Sequence, residues 1–256
     1  MIRFYKKNLP AILLFIGFLI VWECIGALQL VQSSILPRPS LILYTLFQQR
    51  SLLWHHAQVT LLEAGVGFGI AIVVSLLLGL VMDNLPTVKN AFYPFIVISQ
   101  TIPTITLAPL FIIWFGFGWM PKVFVVVLTC FFPILISFLH GLNHADPDMI
   151  ALLKLMKAKK LDIFWLVKLP NTLPFIFSGL KVSASYAIMG AVIGEWLGAK
   201  EGLGEYMRRS MKAFAVEQTF ASIVIIAVVS LLLVFCLDWL EKMVMPWEKK
   251  QISEEG

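Results

Sequence analysis

Six stretches of the chain are apolar for long enough to cross a bilayer: residues 11–28, 60–82, 91–115, 121–139, 172–194 and 219–240. Each lies near the ~20 residues that a helix needs to span the hydrocarbon. Charge is sparse inside them, with Glu23, Glu63 and Lys181 among the few charged residues. The third stretch is continuous in hydropathy but carries Pro94, Pro103 and Pro109. It predicts a span broken in its backbone, which is tolerated where neighbouring helices or a cavity satisfy the freed carbonyls. The pattern predicts an all-α integral membrane protein with six transmembrane helices.

Between the spans the pattern becomes amphipathic. Ile35-Leu36-Pro37-Arg38-Pro39-Ser40 reads as an extended lead-in, with Ser40 capping a short interfacial helix that runs to Gln49. Residues 140–171 hold five lysines, at 154, 157, 159, 160 and 168. Within them Asp146-Pro147-Asp148 starts a helix: Asp146 caps, Pro147 suits the first turn, and Asp148 sits at the positive end of the dipole. Met149, Ile150, Leu152, Leu153, Leu155 and Met156 follow among the lysines. So much apolar surface on a short helix fits either a partner's groove or an anionic lipid surface. A second short helix is expected near 161–166, ended by Pro170 and Pro174, which open the next span. Gly65 and Gly69, four apart in the second span, predict a close helix contact.

Composition supports the class. The chain has 256 residues, 59% hydrophobic and 14% charged, with a mean hydropathy of +0.88; soluble domains are less apolar and more charged. The net charge of +5 is explained by basic membrane loops and implies no nucleic acid. With the amino terminus inside, twelve Lys and Arg fall in cytoplasmic segments and seven outside, which places both termini and the lysine-rich loop in the cytoplasm. The weak point is the group Arg208, Arg209 and Lys212 on the outer face. The first span follows Arg3, Lys6 and Lys7 and is read as an uncleaved helix. Residues 1–55 are read as an N-terminal span and interfacial segment, 56–241 as the transmembrane domain and 242–256 as a cytoplasmic tail. Cys24, Cys130 and Cys236, one per apolar run, read as buried small hydrophobes.

Candidate chemistry is sparse. No Gly-x-x-x-x-Gly-Lys-Ser/Thr phosphate loop, His-Glu-x-x-His, Gly-x-Ser-x-Gly or Cys-x-x-Cys is present, which argues against ATP binding by that loop and against an intramembrane enzyme. His55-His56 reads as a solvated pair on a loop, with no metal implied. Glu63 is expected at the interface, Glu23 needs a partner or water, and Lys181 has no evident partner. Glu195 ends the fifth span beside Trp196. It is either a solvated carboxylate or part of the outer mouth of a pathway. A self-sufficient channel or ion-coupled transporter would need more paired charges within its spans than these.

The stretch from Asp148 to Pro170 resembles the cytoplasmic loop of permease subunits of ATP-binding-cassette (ABC) importers of the type I fold. That signature is Glu-Ala-Ala, three residues, Gly, nine residues and Ile-x-Leu-Pro. Ala151-Leu152-Leu153, Lys157 and Val167-Lys168-Leu169-Pro170 occupy its slots with the same spacing. Ala151 stands where the family has Glu, and Lys157 where it has Gly. The resemblance continues through Leu36-Pro37-Arg38-Pro39-Ser40, Gln100-Thr101-Ile102-Pro103, Ala108-Pro109-Leu110, Trp114-Phe115-Gly116-Phe117-Gly118, Gly194-Glu195-Trp196-Leu197-Gly198 and Gly202-Leu203-Gly204. These segments are similar to the nitrate/sulfonate/taurine subgroup, which includes permeases for the pyrimidine precursor of thiamine and for riboflavin.

The resemblance implies a non-enzymatic subunit in a prokaryotic cell membrane, with ATP and Mg²⁺ held by a separate cytoplasmic ABC ATPase. It implies a solute-binding protein outside and a second permease copy, a homodimer. The ATPase would grip Asp148, Ala151, Leu152, Leu153, Met156, Lys157, Val167, Leu169 and Pro170. Without the family's Glu, coupling would rest on Leu152, Leu153 and Met156, and Lys157 is expected in the left-handed conformation its glycine slot favours. Gln100, Pro103, Pro109, Tyr186, Glu195 and Trp196 would line the pathway or outer gate. The Ser183-Ala184-Ser185-Tyr186-Ala187 run and Glu195-Trp196 look most like the thiamine-precursor and riboflavin members; sulfonates or nitrate are the alternative.

Overall fold

The structure, a computed structural model, describes residues 2–246, with side chains from residue 9 onward. The basic side chains of Arg3, Lys6 and Lys7, and the expected tail beyond residue 246, lie outside the described residues. The chain forms α1 (Ile2–Ala27), α2 (Pro39–Gln48), α3 (Arg50–Asn84), α4 (Pro86–Ser99), α5 (Thr104–Phe115), α6 (Met120–Asn143), α7 (Pro147–Leu155), α8 (Lys160–Ile163), a π turn (Phe164–Lys168), α9 (Leu169–Trp196), α10 (Leu203–Lys212) and α11 (Val216–Val244). Five helices are long and apolar enough to span, and α4 with α5 makes a sixth if the bent pair counts as one.

That pair meets the expectation of a broken third span. α4 and α5 lie at 103° to each other, and Pro103 caps α5 in an extended conformation. Pro170 and Pro174 do the opposite of what the sequence suggested. From Lys160 to Trp196 the chain runs on as one helical segment of 37 residues. The π turn explains it: the Leu169 N–H reaches the Phe164 carbonyl five residues back. This wider turn leaves room for the Pro170 ring, which would press on the carbonyl four residues back in a regular helix.

The core lies where α6 and α9 run antiparallel. A methyl group on Gly179 would stand 2.7 Å from Ser137 Cβ, and one on Gly194 would stand 2.9 Å from the Lys122 Cα. Bare glycine at both places lets the backbones touch, the usual solution where no water drives helices together. Around this contact pack Cys130, Ile134, Phe138, Ile188 and Ala191, with Ala64 and Ala71 of α3. α3 meets α6 through Gly67, where a methyl would strike Val126 at 2.5 Å. Gly65 and Gly69, the pair singled out in the sequence, have nothing within 4 Å and face outward. Of the cysteines only Cys130 is buried; Cys24 and Cys236 are exposed and free, because each lies on the outer face of a peripheral helix.

Ionic contacts join the helices. Glu23 accepts from the Ser40 N–H (3.0 Å) and hydroxyl (2.7 Å). Ser40 is therefore inside the first turn of α2, and Arg38 occupies the cap position that the sequence assigned to Ser40. Lys181 is held by Asp238 (2.7 Å) and Glu241 (2.5 Å) of α11. Lys168 pairs with Asp83 at 2.7 Å, tying the start of α9 to the end of α3.

The two glycine environments separate cleanly by substitution. Gly67→Ala should lower the thermal midpoint in detergent, at an overpacking cost of about 1–3 kcal/mol. Gly65→Ala should stay within about 0.5 kcal/mol of the wild type. Equal effects would contradict the assigned α3–α6 face.

Candidate functional site

One end of the bundle carries the lysine-rich loop. Asp146 caps α7 as expected, accepting from the Asp148 N–H at 2.9 Å and the Met149 N–H at 3.4 Å. Nothing in α7 is buried. Asp148 and Ala151 are exposed, as are Leu152 (53%) and Met156 (70%), whereas Leu153 is half-buried against its own chain. Lys157 has φ 59°. Its N–H reaches the Lys154 carbonyl and the Ala158 N–H reaches that of Leu153, both at 3.0 Å, which is the Schellman termination with a non-glycine left-handed residue. Beyond it Val167 is buried, and Leu169 and Pro170 are half-buried in the segment that leads into α9.

At the break between α4 and α5 lies a cavity of about 260 Å³, lined by Gln100, Thr104, Thr129, Phe132, Tyr186 and Met189 among others. It brings together Gln100 and Tyr186, two of the residues read as pathway candidates. Pro103 supports the wall by capping α5. Pro109, Glu195 and Trp196 do not line it. Thr104, Thr129, Phe132 and Met189 were missed in the sequence, where nothing sets them apart from other spanning residues.

The opposite end holds a buried polar knot, and here the sequence reading is corrected. Glu195 is fully buried, so it is not the solvated carboxylate at a helix end. Its carboxylate accepts from the Thr60 hydroxyl and the Gly204 N–H, both at 2.6 Å, and Thr60 in turn accepts from the Leu203 N–H at 2.8 Å. A methyl on Gly202, at φ 121°, would lie 2.2 Å from the Glu195 Cδ, so Gly202-Leu203-Gly204 is the cradle of this acid. Glu63 is also buried, not interfacial, and pairs with Lys122 of α6. His55 and His56 belong to α3, not to a loop: His56 is buried, accepts from the Gly202 N–H at 3.0 Å and packs on Tyr206. Only His55 is exposed, 3.3 Å from Glu201. The missed signal was an acid near the start of the second apolar run, Glu63, matched by a base at the start of the fourth, Lys122.

Outside this knot, α10 turns Leu203, Tyr206 and Met207 inward. Burial works against the charge on Glu205, but hydrogen bonds from Arg208 (2.6 Å) and Arg209 (2.7 Å) outweigh it and hold the carboxyl below its ordinary range. Trp196 is partly exposed at the end of α9. A hollow of about 530 Å³ at this end is lined by Phe117, Trp119, Lys122, Lys200 and Glu201, among others. No cluster of metal-binding side chains occurs among the described residues.

Residues 67–250 match the family described as binding-protein-dependent transport system inner membrane component. The formylaminopyrimidine transport permease protein of Halalkalibacterium halodurans is 38% identical over 250 residues, 97% of this chain and 99% of the relative. The taurine transport system permease protein of Escherichia coli is 28% identical over 236 residues, 90% and 86% of the two chains. A solved inward-facing structure of the MetNI methionine ABC transporter superposes with a TM-score of 0.68 at 18% identity, over 77% of this chain and 98% of that one.

The left-handed turn after α7 gives a direct test. Lys157→Gly should be neutral or stabilising by up to about 1 kcal/mol, because glycine reaches positive φ without steric cost. The thermal midpoint of the purified protein reports it. A clear fall would mean that α7 continues through residue 157.

Proposed function

The chain belongs to the binding-protein-dependent transport system inner membrane components, as a permease subunit of an ABC importer, and from that premise we propose how it is coupled and what it carries. Two copies of the chain line one pathway across a prokaryotic cell membrane. α7 and both termini face the cytoplasm, where a separate ATPase, holding ATP and Mg²⁺, grips the loop. A solute-binding protein delivers solute at the α10 end, where the hollow beside Trp119 and Lys200 opens.

One observation carries the coupling: α7 exposes Met149, Leu152, Leu155 and Met156 together, on a helix that is fixed at both ends. Asp146 fixes its start and the turn at Lys157 its finish. Such an apolar face, without the family's Glu at Ala151, fits a groove by shape and apolar contact. The route inward is rigid. α8, the π turn and α9 form one segment, and α9 touches α6 backbone to backbone. A push on α7 therefore moves the α6–α9 pair, and with it one wall of the cavity, relative to the separately hinged α4 and α5. Alternating access needs this rigid-body shift and no chemistry on the solute. As solute we propose a small heteroaromatic compound of the thiamine-precursor class. It is favoured over a sulfonate or nitrate by the wider margin of identity to the formylaminopyrimidine permease than to the taurine permease.

Leu152→Asp and Met156→Asp should each weaken the complex with the ATPase about tenfold or more, because a carboxylate in an apolar groove goes unpaired. Both side chains are exposed, so membrane insertion should be unchanged. Co-purification of the ATPase subunit measures the loss. Full co-purification and full uptake in both variants would place the docking surface elsewhere.

A further inference from the structure

We propose that the cavity at the break in the third span is a station that holds the solute during passage, and that its chemistry selects a neutral, planar heteroaromatic ring over an organic or inorganic anion. The proposal deepens the importer reading above and rests on it.

The polar groups of the cavity divide into two kinds. Ser99 and Thr129 spend their hydroxyls on their own helices: Ser99 donates to the Ile96 carbonyl at 2.9 Å, and Thr129 to those of Val125 and Val126 at 3.0 and 2.9 Å. Gln100, Thr104 and Tyr186 make no side-chain hydrogen bond among the described residues, yet all three face the same space. They sit on three separate elements: the break, the start of α5 and the middle of α9. An amide, a hydroxyl and a phenol supply both donors and acceptors, the set that a ring bearing nitrogens and amino or formyl substituents can satisfy. The helix break is what brings them together. A continuous third span would direct Gln100 and Thr104 along its own side, whereas the 103° bend opens a recess between them.

The remaining walls are apolar and soft. Phe132 and Met189 lie on α6 and α9 beside the Tyr186 ring, and aromatic and thioether groups favour the face or edge of another ring. Among the described residues, no Asp, Glu, Lys, Arg or His lines the cavity. A sulfonate or nitrate there would lose its hydration without gaining a cation, which is strongly unfavourable in a low-dielectric site. The volume of about 260 Å³ falls just below the range of roughly 300–1,000 Å³ typical of small-molecule pockets, so the space suits one small ring system. Tyr186 and Met189 are 41% and 47% exposed, which leaves the recess open for entry and release.

The test uses the whole importer in proteoliposomes, permease with its ATPase and binding protein, and formylaminopyrimidine, riboflavin and taurine as probes. Gln100→Leu and Tyr186→Phe keep side-chain size and remove hydrogen bonds. Each should cut uptake of the transported ring compound about fivefold or more at saturating loaded binding protein, with binding-protein-stimulated ATP hydrolysis retained. In a background without Cys24, Cys130 and Cys236, a Thr104→Cys thiol should react more slowly with a small thiol reagent when that compound is present. The protection arm decides the matter if a variant loses ATP hydrolysis as well. Ring uptake that is unchanged in the double variant, or an unprotected thiol at 104, overturns the station while leaving the importer reading intact. A wild-type complex that imports taurine, or neither ring compound, overturns the solute reading and the station with it.

Discussion

Everything in this molecule is referred to the contact between α6 and α9. In a bilayer, apolar side chains gain little by leaving lipid for another helix, so association depends on close packing and polar contacts. Bare glycine supplies that closeness from one end of the contact to the other: Gly141 against Thr172, Gly190 against Thr129 and Val126, and Gly194 against Lys122. With no side chain between them, the two helices have one register and no slack. The loop with α7, the cavity wall and the polar knot are all mounted on that pair.

The polar knot shows how the far end is closed. Segments distant in sequence meet there: Thr60 and Glu195 are 135 residues apart, and Lys122 reaches Glu63 across α3 and α6. Buried charges of this kind add little net stability over apolar packing, but removing one partner is costly because the other stays uncompensated. Their value here is specificity. Glu195 fits only if Gly202 and Gly204 bring α10 onto it, so the acid fixes where the chain turns after α9. The exposed charges of α10 are then partly used up: Arg208 and Arg209 pair with Glu205. Arg208 and Arg209, two of the basic residues that weakened the positive-inside count, thus share one carboxylate, which offsets one of their two charges.

Much of this was legible in the sequence because it is local. Span lengths, the Asp146 cap and the broken third span follow from hydropathy, capping chemistry and proline placement within a few residues, whereas the turn at Lys157 was expected only from the glycine slot of the family's loop. What was misread depends on tertiary neighbours. Gly65 and Gly69 have the right spacing for helix packing, yet the α6 face is set by Gly67, two residues away and on another side of the helix. Ser40 looks like a cap until Glu23 claims its donors. Glu63, His56 and Glu195 lie near the ends of apolar stretches, where water is the default partner, and only the arrival of Lys122, Gly202 and Gly204 makes burial affordable. Pro170 should break a helix, and does not, because a π turn absorbs it. The family's motifs marked Gln100 and Tyr186, but the cavity they share required the bend angle.

The central claim is that α7 faces the compartment that holds the ATPase, with α10 across the membrane from it. Sidedness of thiol labelling measures this most directly. In a background with Cys24, Cys130 and Cys236 replaced, Lys159→Cys and Lys200→Cys should react with an impermeant reagent from opposite sides: Lys200→Cys in intact cells, Lys159→Cys only in inverted vesicles. Labelling of Lys159→Cys from outside intact cells would set the lysine-rich loop away from any source of ATP and contradict the account.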